Sequence, residues 1–316
     1  MNFATLWERE VGDNIRGVSF LRDQEGVVVA SERVARMFDY DGEMQWRYSL
    51  GSDFRGIASL SDGGCVIAVK DGLVLLDSEG ERRKETSLNK EPRAISTNNK
   101  IGLLAGSELM MLDPGGDSMV RAVLDFEPEL LAHNDQGFIL ANRDSIESLE
   151  PKGSSRWREQ VDYPIASIAA HGQDVYVVTG KEVKKLDKNG EEVWNKDLGD
   201  EIRQIDVGKY LLALLGNEAI LLNTETSDPV WNLNGEFTLG SIDKEELALA
   251  RERTIIFMRD VGEEEVFYEV MCRSKEKCGT FVSTKFLRRC PKCGAERIIL
   301  RIVRKKLGES EKDIQN

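Results

Sequence analysis

Two histidines in 316 residues leave little material for acid–base chemistry. No serine, histidine and acid set can be traced, nor a phosphate-cradling glycine loop, a GxSxG elbow or an HExxH pair. No apolar run approaches the roughly eighteen residues that a membrane-spanning helix needs. The first residues, MNFATLWEREVGDN, carry acids where a signal peptide would be uncharged and apolar. A cytoplasmic protein with no membrane partner is therefore expected. Cysteine is scarce as well, at five residues, and four of these fall between Cys272 and Cys293. That clustering suits a metal site in a reducing compartment better than a disulfide framework. Cys65, alone in GCVIAV, reads as a small buried hydrophobe.

What is present is charge, and it is unevenly placed. Residues 270–307 hold twelve Lys and Arg against two Glu, a formal +10, in a chain whose net charge is −13, so the remainder carries −23. An acidic body with a basic appendage points to a separate binding role for the appendage.

A repeat of 36 to 38 residues organises the first 262 residues. Its anchor is an Asp-x-x-Gly turn after a short apolar strand: Asp39 to Gly42, Asp77 to Gly80, Asp113 to Gly116 and Asp187 to Gly190. Glu150 to Gly153 is the same turn with a longer acid, Asn223 stands in register without the glycine, and Arg259 with Gly262 completes the series. Each repeat also has a small, apolar first strand (RGVSFL, RGIASL, ASIAAH), a β-rich second strand (GVVVA, CVIAV, VYVVT), a third strand leading into the turn and a more polar fourth strand after it. Four short strands per period without helical spacing are the mark of a propeller blade. All five tryptophans, Trp7, Trp46, Trp157, Trp194 and Trp231, fall on the fourth strand, where an indole can cover the seam between blades.

The string VVTGKEVKKLDKNGEEVWNKDLGD, residues 177–200, resembles the repeat of the quinoprotein-like propellers, a PQQ-repeat and WD40-like group in which a Leu-Asp-x-x-Gly turn precedes a Val-Trp strand. The resemblance covers about 260 residues and implies fold rather than chemistry. A quinone-dependent dehydrogenase of that kind would be exported and carry vicinal cysteines, and neither feature is found here. The segment LWEREVGD, residues 6–13, copies the Trp and the Gly-Asp ending of VWNKDLGD ahead of any complete blade. It is expected to close the ring on the last blade, whose own three strands lie between about 237 and 259. The competing arrangement gives that place to EEVFYEV, residues 264–270.

The expected architecture is an all-β, seven-bladed β-propeller over residues 1–262, closed by an N-terminal strand. A zinc ribbon over residues 263–307 and a disordered polar tail, 308–316, follow it. Cys272, Cys278, Cys290 and Cys293 read C-x5-C-x11-C-x2-C, with the second pair in CPKCG. Thiolates two residues apart in such a turn can both reach one tetrahedral ion, so one structural Zn²⁺ per chain is expected.

Three further features invite a functional reading. Arg16, Arg55, Arg93 and Arg203 open the first strands and could ring one mouth of the channel as an anion site, although Asp13, Asp53, Glu91 and Glu201 stand close enough in sequence to neutralise them. His133 and His171 hold matching places after the first strands of adjacent blades and read as surface-turn residues inherited through the repeat. The basic ribbon, with Arg288, Arg289, Arg304 and Lys305 as contact candidates and Phe281 and Phe286 between the cysteine pairs, could meet a protein partner, nucleic acid or its own propeller. The reading that combines these is a non-enzymatic interaction scaffold with a protein partner. A nucleic-acid-associated factor is the alternative, and a ligand or enzymatic site at the channel mouth stands behind both.

Overall fold

The computed structural model describes residues 1–21, 26–262, 264–272, 278–287, 289–295 and 297–306. It comprises two compact units, Glu8–Phe257 and a second formed by Met1–Trp7 with the chain from Met258 onward. The boundary expected after residue 262 falls inside the second unit. Arg288 and the tail 308–316 lie outside the described residues.

Seven four-stranded antiparallel sheets form a seven-bladed β-propeller. Blade 1 runs from its innermost strand outward as Ile15–Leu21, Gly26–Ser31, Val34–Asp39 and Met44–Ser49. Blades 2 to 6 repeat this over residues 54–87, 94–123, 130–160, 165–197 and 204–234. Blade 7 has Leu239–Asp243, Glu246–Arg251 and Thr254–Asp260, and takes its outermost strand, Phe3–Glu10, from the beginning of the chain. Each innermost strand packs on the next, and that of blade 7 packs on that of blade 1, which completes the ring. EEVFYEV belongs elsewhere, to the strand Glu264–Cys272 at the centre of a separate three-stranded sheet.

The burial pattern follows from this stacking. Second strands such as Gly26–Ser31 and Cys65–Val69 are buried at every position, because both faces of the sheet meet a neighbouring blade. Outermost strands such as Arg82–Ser87 and Glu192–Asp197 instead alternate, with one face on the adjacent blade and the other in solvent. Cys65 is fully buried, and its thiol pKa is pushed up to about 12 by desolvation, as suits a packing residue.

The Asp-x-x-Gly turns work through the aspartate. Asp187 Oδ1 accepts the backbone N–H groups of Asn189 at 2.8 Å and Glu191 at 3.0 Å, while Gly190 N donates to Asp187 O. These amides, that of Glu191 foremost, hold its carboxyl below the ordinary aspartate range. Asp39 and Asp77 accept the same pair of amides in their own turns. Asn223 substitutes by accepting from Glu225 and Thr226.

The fourth residue of the turn is glycine for two reasons. Gly80 has φ +79°, and a Cβ there would lie 2.5 Å from Trp46 Cγ of the preceding blade. Trp46 lays its ring over that turn and donates Nε1–H to Ser78 O at 3.1 Å. Trp157 repeats the arrangement over Gly190, donating to Lys188 O, and Trp194 donates to Thr224 O. The indole thus covers the seam and satisfies its own N–H on the next blade.

One seam is ionic. Lys185 on the third strand of blade 5, with 4% of its side chain exposed, is bonded by Asp174 at 2.9 Å and Glu225 at 3.1 Å, and donates to Thr224 O. Burial, the largest single influence, works to lower its pKa, but the two carboxylates outweigh it and the net shift is upward. The cation therefore stays charged.

Ring closure has a matching set of bonds. Val11 N donates to Arg253 O at 2.9 Å and Ile15 N to Glu252 O at 2.7 Å. Nearer the terminus, Asn2 N donates to Asp260 Oδ1 and Val261 N to Asn2 O, each at 2.9 Å.

Two outcomes are expected. Gly80→Ala should cost about 2 kcal/mol or more, since strain and overpacking add. Gly106→Ala should cost only about 1 kcal/mol, because Gly106 has φ +63° but a Cβ there would meet only Lys90 Cδ, at a relaxed 3.9 Å. Urea midpoints of the two variants measure the difference, and equal losses would contradict the Trp46 contact. Removing residues 1–10 should expose the edge of Thr254–Asp260 and yield a chain that melts well below the parent or aggregates. Calorimetry and light scattering read that result.

Candidate metal centre and the mouths of the channel

The C-terminal sheet has the order Thr280–Ser283, Glu264–Cys272, Arg297–Lys306. Its core is Val261, Val266, Tyr268 and Val270, with Ala4, Phe281, Phe286 and Ile302 against them. Tyr268 is the keystone: Phe286 meets it edge-on at 5.4 Å, and its hydroxyl donates to Thr5 O at 2.8 Å. Burial raises its pKa to about 12, so it remains a phenol that can donate. Phe281 and Phe286, both partly buried, thereby pack against this core.

The cysteines come from the margins of this sheet. Cys272 ends the central strand, Cys278 precedes Thr280–Ser283, and Cys290 and Cys293 occupy the turn before Arg297–Lys306. Gly279 and Gly294, one residue after a cysteine in each half, have φ +81° and +72°. They permit the turns in which Cys272 N donates to Gly279 O and Cys290 N to Ala295 O. The four Sγ atoms lie within 4.8 Å of one another, with Cys272 and Cys293 at 3.5 Å.

That spacing is far beyond the ~2.05 Å of a disulfide. It sits near the ~3.8 Å edge of a tetrahedron whose centre is ~2.3 Å from each sulfur, so the donor set fits a metal ion. Protonation points the same way. Burial opposes ionisation of Cys290, yet the N–H groups of Lys292 and Cys293 aimed at its sulfur bring it down to about 7. Cys278 is raised to about 12, first by its hydrogen bond with Cys293. Without a cation the cluster shares protons, and a divalent ion would replace them. Of the basic contact candidates, Arg289 is exposed, while Arg304 and Lys305 stand in backbone register with Val266 and Glu265.

The propeller channel presents two mouths, at opposite ends of the innermost strands. At the mouth where those strands begin, Arg55 and Arg93 line a depression of about 720 Å³ together with Lys90, Glu91 and Glu129. Arg55 is paired with Glu91 of the following linker, Arg93 with Glu127 at 3.3 Å, and Arg16 with Glu32 at 3.7 Å. Among the described residues Arg203 has no ion pair. Two of the acids expected to neutralise these arginines locally have other partners: Asp13 pairs with Arg36 and Asp53 with Arg33. Among the described residues, Glu91 alone of these acids is ion-paired with a member of the set, and it meets the one from the preceding blade.

The other mouth holds the two histidines. A cavity of about 520 Å³ is lined by the late residues of all seven innermost strands, among them His133, His171, Asp135 and Asp206. The histidines hold the equivalent places that the repeat predicts, at the ends of their innermost strands, with His171 exposed and His133 partly buried. Much of the polar lining is used between blades. Asn98 Nδ2 donates to Asp135 at 3.2 Å, Gln204 Nε2 to Gly240 O at 3.0 Å, and Ser241 Oγ and Ile242 N to Asp206, each at 2.9 Å. Burial is the main influence on Asp206 and raises its pKa despite these donors.

Comparison with known proteins gives a likeness of fold. Neither protein-family models nor curated protein sequences match the chain. Solved structures do: the WD40 domain of Neurospora crassa Pan2 superposes with a TM-score of 0.70 at 10% identity, covering 82% of this chain and 96% of that one. BBS1N, solved in complex with ARL6DN, superposes with a TM-score of 0.68 at 13% identity, covering 81% and 96%. At such identities the fold alone is shared, and the propeller is WD40-like in architecture.

Proposed function

We propose that this chain is a non-enzymatic intracellular interaction scaffold, whose propeller presents surfaces to a protein partner and whose C-terminal module is held together by one structural zinc ion. The observation that carries the reading is the WD40-like ring itself, in which several polar side chains of the channel, such as Asn98, Gln204 and Ser241, are engaged in joining blades. A protein of the same fold, BBS1N, has been solved in complex with another protein, ARL6DN. Fold likeness makes a partner-binding role a natural one for this chain as well, although one fold hosts many functions.

The zinc assignment rests on the all-thiolate donor set, since soft sulfur in a tetrahedron favours zinc over harder oxygen-seeking ions. With four protein ligands no position stays open for water or substrate, so the ion supports structure rather than chemistry. The sheet it joins has a small core, and zinc-binding peptides of comparable size gain about 10 to 16 kcal/mol of apparent binding free energy, enough to decide whether they fold.

Both parts can be tested. Elemental analysis should give one zinc per chain, falling to a small fraction in Cys290→Ser with Cys293→Ser, and a chelator should open the C-terminal sheet to hydrogen exchange while leaving the blades protected. Unchanged zinc in the double variant would refute the ligand set. Affinity capture from the native host should recover a protein in near-stoichiometric amount, resistant to nuclease. If recovery instead depends on nucleic acid, and the pure chain binds it more weakly as salt rises, the nucleic-acid reading replaces this one.

A further inference from the structure

We propose that the groove between blades 4 and 5 is the seat of the partner, and that it takes an extended, basic protein segment with one aliphatic side chain directed inward. This inference rests on the scaffold reading and specifies its surface.

The linker from blade 4 to blade 5 differs from its counterparts. Each of several linkers begins with an apolar residue, Leu50, Leu88, Leu124, Val161 or Leu198, whose N–H donates across to the hairpin before it. Two residues later stand Ser52, Lys90, Phe126, Tyr163 and Asp200 respectively. Of the two aromatics, Phe126 is covered by the Arg158 guanidinium at 4.6 Å, which is itself bound to Asp125. Tyr163 is 70% exposed and has no such cover among the described residues. Its linker is nevertheless fixed at both ends, by Val161 N to Asp144 O and Ile165 N to Arg143 O, each 2.9 Å. An exposed tyrosine on a tethered backbone, with only two side-chain torsions to order, offers contact area at little cost in entropy, which is how aromatic anchors act at interfaces.

Beside Tyr163 the seam opens into a cavity of about 180 Å³. Its floor is apolar, formed by Ile146, Val177 and Leu186, whose side chains belong to the core between the two blades. Its walls are acidic: Glu159 and Asp162 from blade 4 and its linker, Glu182 and Glu192 from blade 5. The single cation there, Lys184, is paired with Glu192 at 3.3 Å. Glu159 and Asp162 have no ion pair among the described residues. Carboxylates lining a cleft with apolar walls concentrate negative potential, and so select a cationic chain. The small apolar floor adds the requirement for one inward aliphatic group.

The test uses the full-length protein and a fluorescent synthetic peptide, Arg-Lys-Gly-Leu-Gly-Lys-Arg, with a second in which Leu is replaced by Gly at equal charge. The Leu peptide should bind at least about tenfold more tightly than the Gly peptide, from burial of one aliphatic side chain. Tyr163→Ala should weaken binding about tenfold and Tyr163→Phe hardly at all. Glu159→Gln with Glu182→Gln should weaken it several-fold, whereas Glu79→Gln with Glu81→Gln, the same charge change on an exposed turn of blade 2, should leave it within about twofold. Equal binding of the two peptides, or equal effects of the two charge pairs, would reduce the attraction to general charge and overturn the proposal. Self-association abolished by Tyr163→Ala would assign the groove to a second copy and overturn it equally. A Tyr163→Ala chain that still recovers its cellular partner would overturn the groove and leave the scaffold reading standing. Peptide binding as expected without any recovered partner would count against the scaffold reading alone.

Discussion

A blade of four short strands cannot cover either of its own faces, so everything in this propeller depends on the seam between one blade and the next. The chain meets that need at three radii. Near the channel, side chains such as Asn98, Gln204 and Ser241 donate to the neighbouring innermost strand. In the middle, apolar side chains of the second and third strands interlock. At the rim, an indole closes over the glycine turn of the following blade and donates to it. Lys185 shows how far the rule can bend, since this buried cation has two carboxylates and a carbonyl around it.

This economy leaves limited polar capacity for other work. Asp135 and Asp206, which line the cavity with the histidines, already accept from neighbouring blades, and three of the four arginines at the opposite mouth are neutralised by glutamates. Charge that remains without an internal partner gathers on the outer surface, and at the groove beside Tyr163 it does so next to an apolar floor. The C-terminal sheet solves its own problem of small size differently, with a tyrosine-centred core and four converging sulfurs.

The sequence made the repeat legible because the turn chemistry is local: an aspartate that caps two amides and a glycine at positive φ must stand three residues apart. The closing strand was legible too, since residues 6–13 copy a fourth strand where none is needed. The cysteine spacing announced a site that the structure brings within reach of one ion. What stayed hidden depends on neighbours a full repeat away. Arg55 and Arg93 were matched with acids nearby in sequence, yet their partners are Glu91 and Glu127, supplied by the linkers after their own blades. His133 and His171 were recognisable as equivalent, but not as lining a cavity. The groove combines Glu159 and Tyr163 with Glu182 and Leu186, a set that no single stretch of chain displays.

The closing strand also sets an order of assembly. Asn2 and Asp260, which bond to each other, are separated by 258 residues. The entropic cost of such a loop grows slowly, by only about 0.6 kcal/mol per doubling, but the search is non-local and hence slow. During synthesis the first six blades can form one after another from adjacent hairpins, while the seventh must wait for the strand that was made first to return. Until it does, Thr254–Asp260 has a free edge able to accept an equivalent strand from another copy. Exchange of the N-terminal strand between nascent chains is thus the characteristic hazard of building a ring in this way.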